Sequence, residues 1–264
     1  MLMHADPRQL DQTLIGTGLT ADVHAWKDGQ VLKLFHQSFT EARVTREYEI
    51  NRAVHAAGLP VPAAYEVIRL EERFGIVLER IEGPSMFANV QSRPWTLFAA
   101  ARQMAELHAQ LHSHPAPPEL PSQRAWIESR INSAIVASES EQNRARQLLG
   151  ELPAGDALCH GDFHPGNILL TARGPIIIDW STATRGHPLG DVACTSHLFE
   201  NADLPVSASR TIRLLFMVSR SLLHTTYLRR YLRLRPGMRS QINKWRVLLT
   251  ATLAARKMDA ITPF

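Results

Sequence analysis

The segment of this chain that most restricts its fold is a loop rich in glycine and proline that leads into a short apolar strand. The loop reads HGDFHPGN over residues 160–167, and the isoleucine run Ile176–Ile178 follows it and ends on Asp179. Asp162 and Asn167 stand five residues apart in the loop. In one interpretation these two residues only stabilise turns, as Asp and Asn commonly do. The ordered set of Asp, Asn and a second Asp behind a strand instead indicates a chemical site.

Oxygen donors of this kind suit the transfer of a phosphoryl group. The reaction needs a base near the acceptor hydroxyl and metal ions that bridge the phosphates. Asp162 occupies a loop position that a hydroxyl could approach, while Asn167 and Asp179 offer a neutral and a charged oxygen to a hard cation. Mg²⁺ prefers such ligands and usually takes only one or two carboxylates from a protein. The segment supplies no cysteine set or histidine pair for zinc.

The segment resembles the catalytic core of the protein-kinase superfamily, with Gly161 where protein kinases usually have arginine. The combination of His-Gly-Asp, Asn and Ile-Ile-Asp-Trp looks like the aminoglycoside phosphotransferase and choline kinase branch, which phosphorylates small molecules. The likeness covers residues 14–200, in round numbers. It implies ATP and Mg²⁺ as cofactors and Asp162 as the catalytic base. It also implies Asn167 and Asp179 as metal ligands.

The same resemblance implies an α+β, two-lobed, protein-kinase-like fold. Residues 1–82 are the expected nucleotide-binding lobe, an antiparallel sheet plus one helix. Residues 83–264 are the expected second lobe, mostly helical, with the catalytic loop and the acceptor site. His160 and Asp191 are expected to support the loop rather than to react.

Hydrophobic periodicity and turn residues predict elements that fit this division. Strands are predicted twice within Thr13–Trp26 and once each at Val31–Phe35, Ala64–Leu70 and Arg73–Glu79, and a helix begins at Thr40. Helical spacing returns at Trp95–His112, Trp126–Leu149 and over most of Leu189–Ala260.

Lys33 is unusual because lysine is depleted in strands, yet it lies in the middle of the strand pattern VLKLF. It is either an edge-strand lysine that points to water or a buried cation that needs a partner. The resemblance implies the second, with Lys33 on the α- and β-phosphates and a helix glutamate beside it. Glu47 is the expected partner because its distance to Pro60 resembles that in the family. Glu49 is the alternative, on a different helix face.

Two other segments are assigned to nucleotide binding by resemblance. Gly16, Gly18 and Thr20 lie in a turn between strands, the place of a loop whose backbone N–H groups cover phosphates. Glu79 and Ile81 correspond to the hinge, where backbone groups meet adenine. The glycine turn lacks the Gly-Lys-Ser/Thr ending of a Walker loop.

His108 and His112 stand four residues apart and invite comparison with a zinc site. No glutamate follows the first histidine as in zinc proteases, so we expect instead a helix that packs Leu107 and Leu111. Cys159, beside the loop, is expected to be a packed thiol. With two cysteines, no secretory leader and no long apolar run, the sequence predicts a cytoplasmic protein without a membrane span.

The charge of the chain is divided unevenly. Up to Asp191 there are 17 basic and 22 acidic residues, and after it 12 basic and 3 acidic ones. The family's acceptors bind mainly to the helical part of the second lobe, where a polycationic aminoglycoside would need carboxylates. The sequence therefore predicts a neutral or anionic small-molecule acceptor with a hydroxyl group, although the basic residues equally fit a solvated helix face.

The main alternative is a nucleotide-binding pseudokinase or regulatory module whose basic C-terminal helices dock an acidic partner or RNA. It is weakened because Lys33, Asp162 and Asp179 are all present. A protein kinase is disfavoured because no Ala-Pro-Glu follows Asp179 and because Asp191 comes too soon after it for a long activation loop. The net charge of +4 is too small to argue for nucleic acid, and the sequence indicates no oligomeric state.

Overall fold

The computed structural model describes residues 3–4, 13–18, 20–132, 138–202, 209–236 and 241–253. Backbone contacts divide the chain into two compact units. Among the described residues, the first unit contains those up to Pro84 together with Leu169–Ser181, and the second contains Ser85–Ile168 and those from Thr182 onward. A segment from later in the chain thus belongs to the first unit, and the domain boundary after residue 82 stays a prediction.

The first unit is built on a sheet of six strands in the order β1-β5-β6-β4-β3-β2. The strands are β1 (Met3–His4), β2 (Leu14–Thr17), β3 (Ala21–Ala25), β4 (Gln30–Phe35), β5 (Ala64–Leu70) and β6 (Arg73–Glu79). All neighbouring pairs are antiparallel except for β1, which lies parallel to β5. The predicted antiparallel sheet is confirmed. Sequence analysis missed β1, whose two residues are too few to show an alternating pattern.

Alternation along β4 gives each face of the sheet its own apolar core. Leu32 points into the core of one face. Phe35 points to the other face, where it packs with Val44 of helix α1 (Glu41–Ala56). Lys33 shares the side of Phe35 by alternation, so this lysine points toward the face that α1 covers.

The second unit is mostly helical, as predicted, and the α+β fold class is confirmed. Its helices are α2 (Met86–Ser92), α3 (Leu97–Leu111), α4 (Gln123–Asn132), α5 (Glu139–Glu151), α6 (Pro188–Asn201), α7 (Arg210–Leu234) and α8 (Ile242–Leu253). Strands β7 (Ala157–Cys159) and β10 (Thr184–Gly186) pair with each other, and between them in the chain comes a hairpin of β8 (Ile168–Thr171) and β9 (Gly174–Ile177). The stretch predicted as helical over Trp126–Leu149 contains parts of α4 and α5, and residues 133–137 between them lie outside the described residues. None of the helices described is both long enough and apolar enough to cross a bilayer.

Gly83, in the segment that follows β6, allows the β8–β9 hairpin to pack closely against this segment. Gly83 has a φ of +149°, and a Cβ atom there would lie 2.1 Å from the carbonyl oxygen of Leu170. Beside it, the N–H of Leu170 donates to the carbonyl of Pro84 at 2.9 Å, and the N–H of Ile177 donates to the carbonyl of Pro60 at 2.8 Å. These contacts, all within the first unit, hold the strand that leads into the predicted site.

Candidate active site

Strand β4, helix α1 and the end of β9 bring three charged side chains together in the first unit. The Nζ atom of Lys33 lies 2.6 Å from Oε1 of Glu47 and 3.1 Å from Oδ1 of Asp179. The Lys33 and Glu47 side chains are 12% exposed, and that of Asp179 is 36% exposed. Glu49, the alternative partner, is exposed on α1. A nearly buried ammonium is therefore held between two carboxylates, one of which is partly open to solvent.

Charge attraction determines the protonation of Lys33. Burial by itself lowers the pKa of this amine, but attraction to Asp179 and Glu47 outweighs burial and raises the pKa above its ordinary value. The ammonium therefore stays charged at neutral pH, and a compact cation of this kind suits phosphate oxygens.

Asp179 has a left-handed backbone with a φ of +63°. This conformation is uncommon for residues other than glycine, although Asp tolerates it better than most. The Oγ–H of Ser181 donates to Oδ1 of Asp179 at 3.0 Å, in addition to the Lys33 contact. Backbone strain of this size costs about 1–3 kcal/mol and persists where the surroundings impose it, often at functional sites.

In the second unit, the loop that follows β7 carries Asp162 and Asn167. The side-chain N–H₂ of Asn167 donates to Oδ2 of Asp162 at 3.1 Å and to its carbonyl oxygen at 3.0 Å. With its nitrogen committed to Asp162, the amide presents its oxygen, the atom type that Mg²⁺ prefers. Nε2 of His164, a residue for which the sequence indicated no role, lies 3.7 Å from Oδ2 of Asp162. Asp162 is 23% exposed, so a substrate hydroxyl could reach it.

The backbone of this loop is held from several sides. Asp191 accepts hydrogen bonds from the N–H groups of His160 at 2.5 Å and Gly161 at 2.7 Å. The hydroxyl of Thr182 donates to the carbonyl of His160, and Nδ1 of His160 accepts from the N–H of Asp162 at 3.2 Å. Gly161 has a φ of +79°, and a Cβ atom there would lie 2.5 Å from the carbonyl oxygen of Thr182. An arginine at this position, as in protein kinases, would not fit this loop.

The predicted phosphate-covering turn forms the tip of the β2–β3 hairpin. The N–H of Gly18 donates to the carbonyl of Ala21 at 2.9 Å. Gly16 is half-buried and Thr20 is exposed, while Leu19 lies outside the described residues. The role of this turn in nucleotide binding stays a prediction.

The predicted hinge begins at the end of β6. The N–H of Glu79 donates to the carbonyl of Ala63 at 2.8 Å, so this donor is already used within the sheet. The Glu79 carboxylate accepts from the N–H of Ala63 and from Arg173. A contact of the Glu79 backbone with adenine would therefore use its carbonyl group, and the contact of Ile81, just past the strand, stays a prediction.

His108 and His112 are more deeply buried than the sequence indicated. Leu111 is buried as expected and Leu107 is half-buried, but both histidine side chains are fully enclosed. Their Nε2 atoms lie 3.0 and 3.2 Å from Oδ2 of Asp191. The predicted helix is present as α3, which contains His108 and ends just before His112. Sequence analysis missed the contact of both histidines with Asp191.

Tyr227 and Tyr231 on α7 were also missed. Their hydroxyl oxygens lie 2.7 Å from Nδ1 of His108 and of His112, respectively. The tyrosines repeat the spacing of the histidines, four residues apart on a helix. The signal available in the sequence was this equal spacing of a histidine pair and a tyrosine pair in two predicted helical segments.

Part of the positive charge after Asp191 is neutralised by ion pairs in the second unit. The pairs are Arg230 with Glu106, Lys244 with Glu151 and Arg246 with Glu200. Arg210, Arg229 and Arg233 are exposed. Of the charged residues after Asp191, those that lie outside the described residues are Asp203, Arg239, Arg256, Lys257 and Asp259.

Comparisons with known proteins identify proteins to which this chain is similar. The profile of a family described as the phosphotransferase enzyme family (APH) matches residues 11–239. Among curated proteins, the chain is similar to acyl-CoA dehydrogenase family member 11 of Gallus gallus, with 26% identity over 181 residues, 60% of this chain and 23% of the relative. The Homo sapiens protein of the same name is 25% identical over 189 residues, 62% of this chain. The matched part of the chain thus spans 23% of the length of these relatives.

Solved structures share the fold over nearly the whole chain. The crystal structure of aminoglycoside-3′-phosphotransferase of type VIII aligns with a TM-score of 0.61 and 20% identity, over 91% of this chain and 93% of that one. The streptomycin–ATP ternary complex of APH(2″)-IIa aligns with a TM-score of 0.57 and 14% identity, over 97% of this chain and 88% of that one.

Proposed function

The chain belongs to the phosphotransferase enzyme family, and from this premise we propose that it transfers the γ-phosphate of ATP to a hydroxyl group of a small molecule, with Mg²⁺ as cofactor. The observation that carries the proposal is the ammonium of Lys33, held between Glu47 and Asp179. Nucleotide phosphates require a fixed cation, together with an acid that binds the metal.

The donor atoms on this chain fit both cofactors. Asn167 presents an amide oxygen and Asp179 a carboxylate, which are hard ligands suited to Mg²⁺. Lys33 is assigned to the α- and β-phosphates, and Glu47 fixes its ammonium. When bound, Mg²⁺ would neutralise charge on the phosphate oxygens.

Asp162 is assigned to the acceptor hydroxyl. Its carboxylate is oriented by the hydrogen bond from Asn167 and is partly open to solvent. It would orient the hydroxyl and take its proton while the new P–O bond forms and the bond to the leaving ADP breaks. The backbone of Gly16, Gly18 and Thr20 is assigned to the phosphates.

The acceptor is proposed to be neutral or anionic rather than an aminoglycoside. Among the described residues after Asp191, Glu200 is the one acid, and Arg246 already neutralises it. Three arginines on α7, Arg210, Arg229 and Arg233, are exposed there. A polycationic acceptor would be repelled by such a surface, whereas a carboxylate or phosphate group would be attracted.

The proposal is tested by ATP turnover on a panel of hydroxyl compounds, with mass spectrometry to detect the phosphorylated product. The panel contains aminoglycosides, amino alcohols, neutral sugars, hydroxy acids and hydroxyacyl thioesters of coenzyme A. The last group is included because the curated relatives are named for acyl-CoA, and coenzyme A is anionic. We expect turnover with a neutral or anionic member, and fast turnover of kanamycin-type compounds would contradict the acceptor class.

Asp162→Asn should lower kcat by about 10²–10⁴-fold, because the group that orients and deprotonates the hydroxyl loses its charge. ATP affinity should stay within about twofold of wild type, since the carboxylate is assigned to the acceptor side. Asp156→Asn, an exposed acid close by in the chain, is the matched control and should keep full activity. If no acceptor yields ADP while the chain binds nucleotide and RNA with a steep salt dependence, the regulatory module replaces the enzyme.

A further inference from the structure

Five buried polar side chains, Asp191, His108, His112, Tyr227 and Tyr231, form a cluster in the second unit, which we call the Asp191 network. His108 lies on α3 and His112 caps the C-terminal end of that helix. Asp191 lies on α6, and both tyrosines lie on α7. Each is at most 3% exposed. The proposed phosphate transfer assigns no part to the histidines or tyrosines.

The carboxylate of Asp191 accepts four hydrogen bonds. Oδ2 accepts from the N–H of His160 and from the Nε2–H groups of His108 and His112. Oδ1 accepts from the N–H of Gly161. Because a carboxylate can only accept, these contacts require a proton on Nε2 of both histidines.

The tyrosines complete the pattern on the other side of each ring. With Nε2 protonated, Nδ1 of a neutral histidine is an acceptor. The O–H of Tyr227 donates to Nδ1 of His108, and the O–H of Tyr231 donates to Nδ1 of His112, both at 2.7 Å. Burial lowers the pKa of both histidines, to about 3 for His112, so each ring stays neutral at physiological pH.

Two histidines and an aspartate could also hold a metal ion. The ligand atoms of His108, His112 and Asp191 lie within 4.8 Å of one another. Both carboxylate oxygens are, however, already engaged by backbone N–H groups of the loop, and the three side chains are fully enclosed. Every donor in the network has an acceptor without an ion, so hydrogen bonds account for the arrangement.

We propose that Tyr227 and Tyr231 are positioning residues of the phosphate transfer, which act through His108 and His112 on Asp191 and thereby on the loop that carries Asp162. The proposal rests on the proposed function. Asp191 holds the N–H groups of the two residues immediately before Asp162, so a small rotation of its carboxylate shifts the catalytic side chain. Misplacement of a reacting group by about 1 Å can cost on the order of 10²-fold in rate.

The network also joins the loop to a second surface. Between the two tyrosines in the sequence stand Arg229, which is exposed, and Arg230, which pairs with Glu106 of α3. Helix α7 thus carries both the basic side chains proposed to face the phosphate acceptor and the two tyrosine hydroxyls that act on Asp191. In this arrangement, the position of α7 and the geometry of Asp162 are coupled.

The test compares Tyr227→Phe and Tyr231→Phe, which remove one hydroxyl each, with two controls. Tyr48→Phe removes a hydroxyl that bonds the carbonyl of Tyr65 in the first unit. Leu223→Ala opens a cavity under α7, one turn before Tyr227, and leaves the network intact. Each variant is assayed well below its unfolding temperature.

Both Phe variants should exchange the amides of His160 and Gly161 about tenfold faster than wild type and lower kcat by about tenfold, with KM values within twofold, since a buried Nδ1 loses its donor. Both controls should leave the exchange and kcat near wild type. Unchanged exchange in both Phe variants, or an equal loss of kcat in Leu223→Ala, would overturn the proposal. One equivalent of tightly bound zinc in the purified protein would also overturn it. If wild type phosphorylates no acceptor, the proposed function fails, and exchange alone decides whether the tyrosines hold the loop.

Discussion

At the scale of single residues, the site depends on which glutamate faces Lys33. Glu47 lies 2.6 Å from the ammonium, whereas Glu49 is exposed two residues away. Glu47→Gln should lower kcat/KM for ATP by about 10–100-fold, because a buried cation loses a charged partner. Glu49→Gln should change it by less than about twofold. Steady-state kinetics with varied ATP measure both, and equal effects would show that the ion pair has no part in nucleotide use.

A second residue-scale prediction concerns Gly161. Gly161→Ala should lower the free energy of unfolding by about 2–4 kcal/mol, because the positive φ is strained for alanine and its Cβ would meet the carbonyl of Thr182. Gly29→Ala is the matched control, with a φ of +73° and no atom within 4 Å of the added Cβ. It should cost only about 1–2 kcal/mol. Urea unfolding of both variants measures the difference, and equal losses would mean that the loop yields to the extra carbon.

At the scale of elements, the β8–β9 hairpin depends on a close approach at Gly83. Gly83→Ala should destabilise the protein by about 2–4 kcal/mol, since its Cβ would overlap the carbonyl of Leu170, which is backbone and cannot rotate away. Gly150→Ala, in α5 with no atom within 4 Å of the new Cβ, should instead be neutral or stabilise by about 0.5 kcal/mol. Thermal unfolding compares the two. A Gly83 variant as stable as wild type would mean that the hairpin can shift without loss.

Elements with a clear period were predictable and those without one were not. Strand β4 and helix α1 follow from alternation in VLKLF and from apolar residues one turn apart. The two-residue strand β1 carries no such signal. The end of α4 at Asn132 was not predicted, because periodicity alone does not mark where a helix stops.

At the scale of the whole molecule, buried histidines predict loss of stability in mild acid. Burial lowers the pKa of His112 from 6.5 to about 3 and also lowers that of His108, His187 and His224. Below pH 6.5 the unfolded chain binds protons that the folded chain rejects, so stability falls as pH falls, by up to about 1.4 kcal/mol per pH unit for each such residue. Burial by itself raises the pKa of Asp191, but the interactions of its carboxylate with His108 and His112, hydrogen bonds included, together outweigh burial and hold the pKa well below its usual value. Its contribution is therefore retained throughout this range.

The measurement is the unfolding free energy between pH 7.5 and pH 5. We expect a steady decline below about pH 6.5, and a smaller slope in His112→Gln, which removes one of the linked protons. A flat profile in this range would contradict the burial of neutral histidines.

From the sequence alone the fold class could be predicted, and the structure confirms it, whereas the roles of the candidate site residues stay predictions. Lys33, Asp162, Asn167 and Asp179 could be proposed because their residue types and their order along the chain resemble those of the family, and order along a chain is contained in the sequence. Strands such as β4 could be predicted because alternation of side chains along a strand is likewise a pattern of residue order.

Only the tertiary structure showed which further side chains contact Asp191, the residue that holds the loop of Asp162. The resemblance pointed to Asp191, but nothing local distinguishes His108 and Tyr227 from packing residues, because their contact joins side chains that are 119 residues apart in the sequence. The tertiary structure also showed that Glu47 rather than Glu49 pairs with Lys33, and that three basic residues after Asp191 form ion pairs. Such contacts depend on how elements pack in three dimensions, which the local order of residues does not reveal.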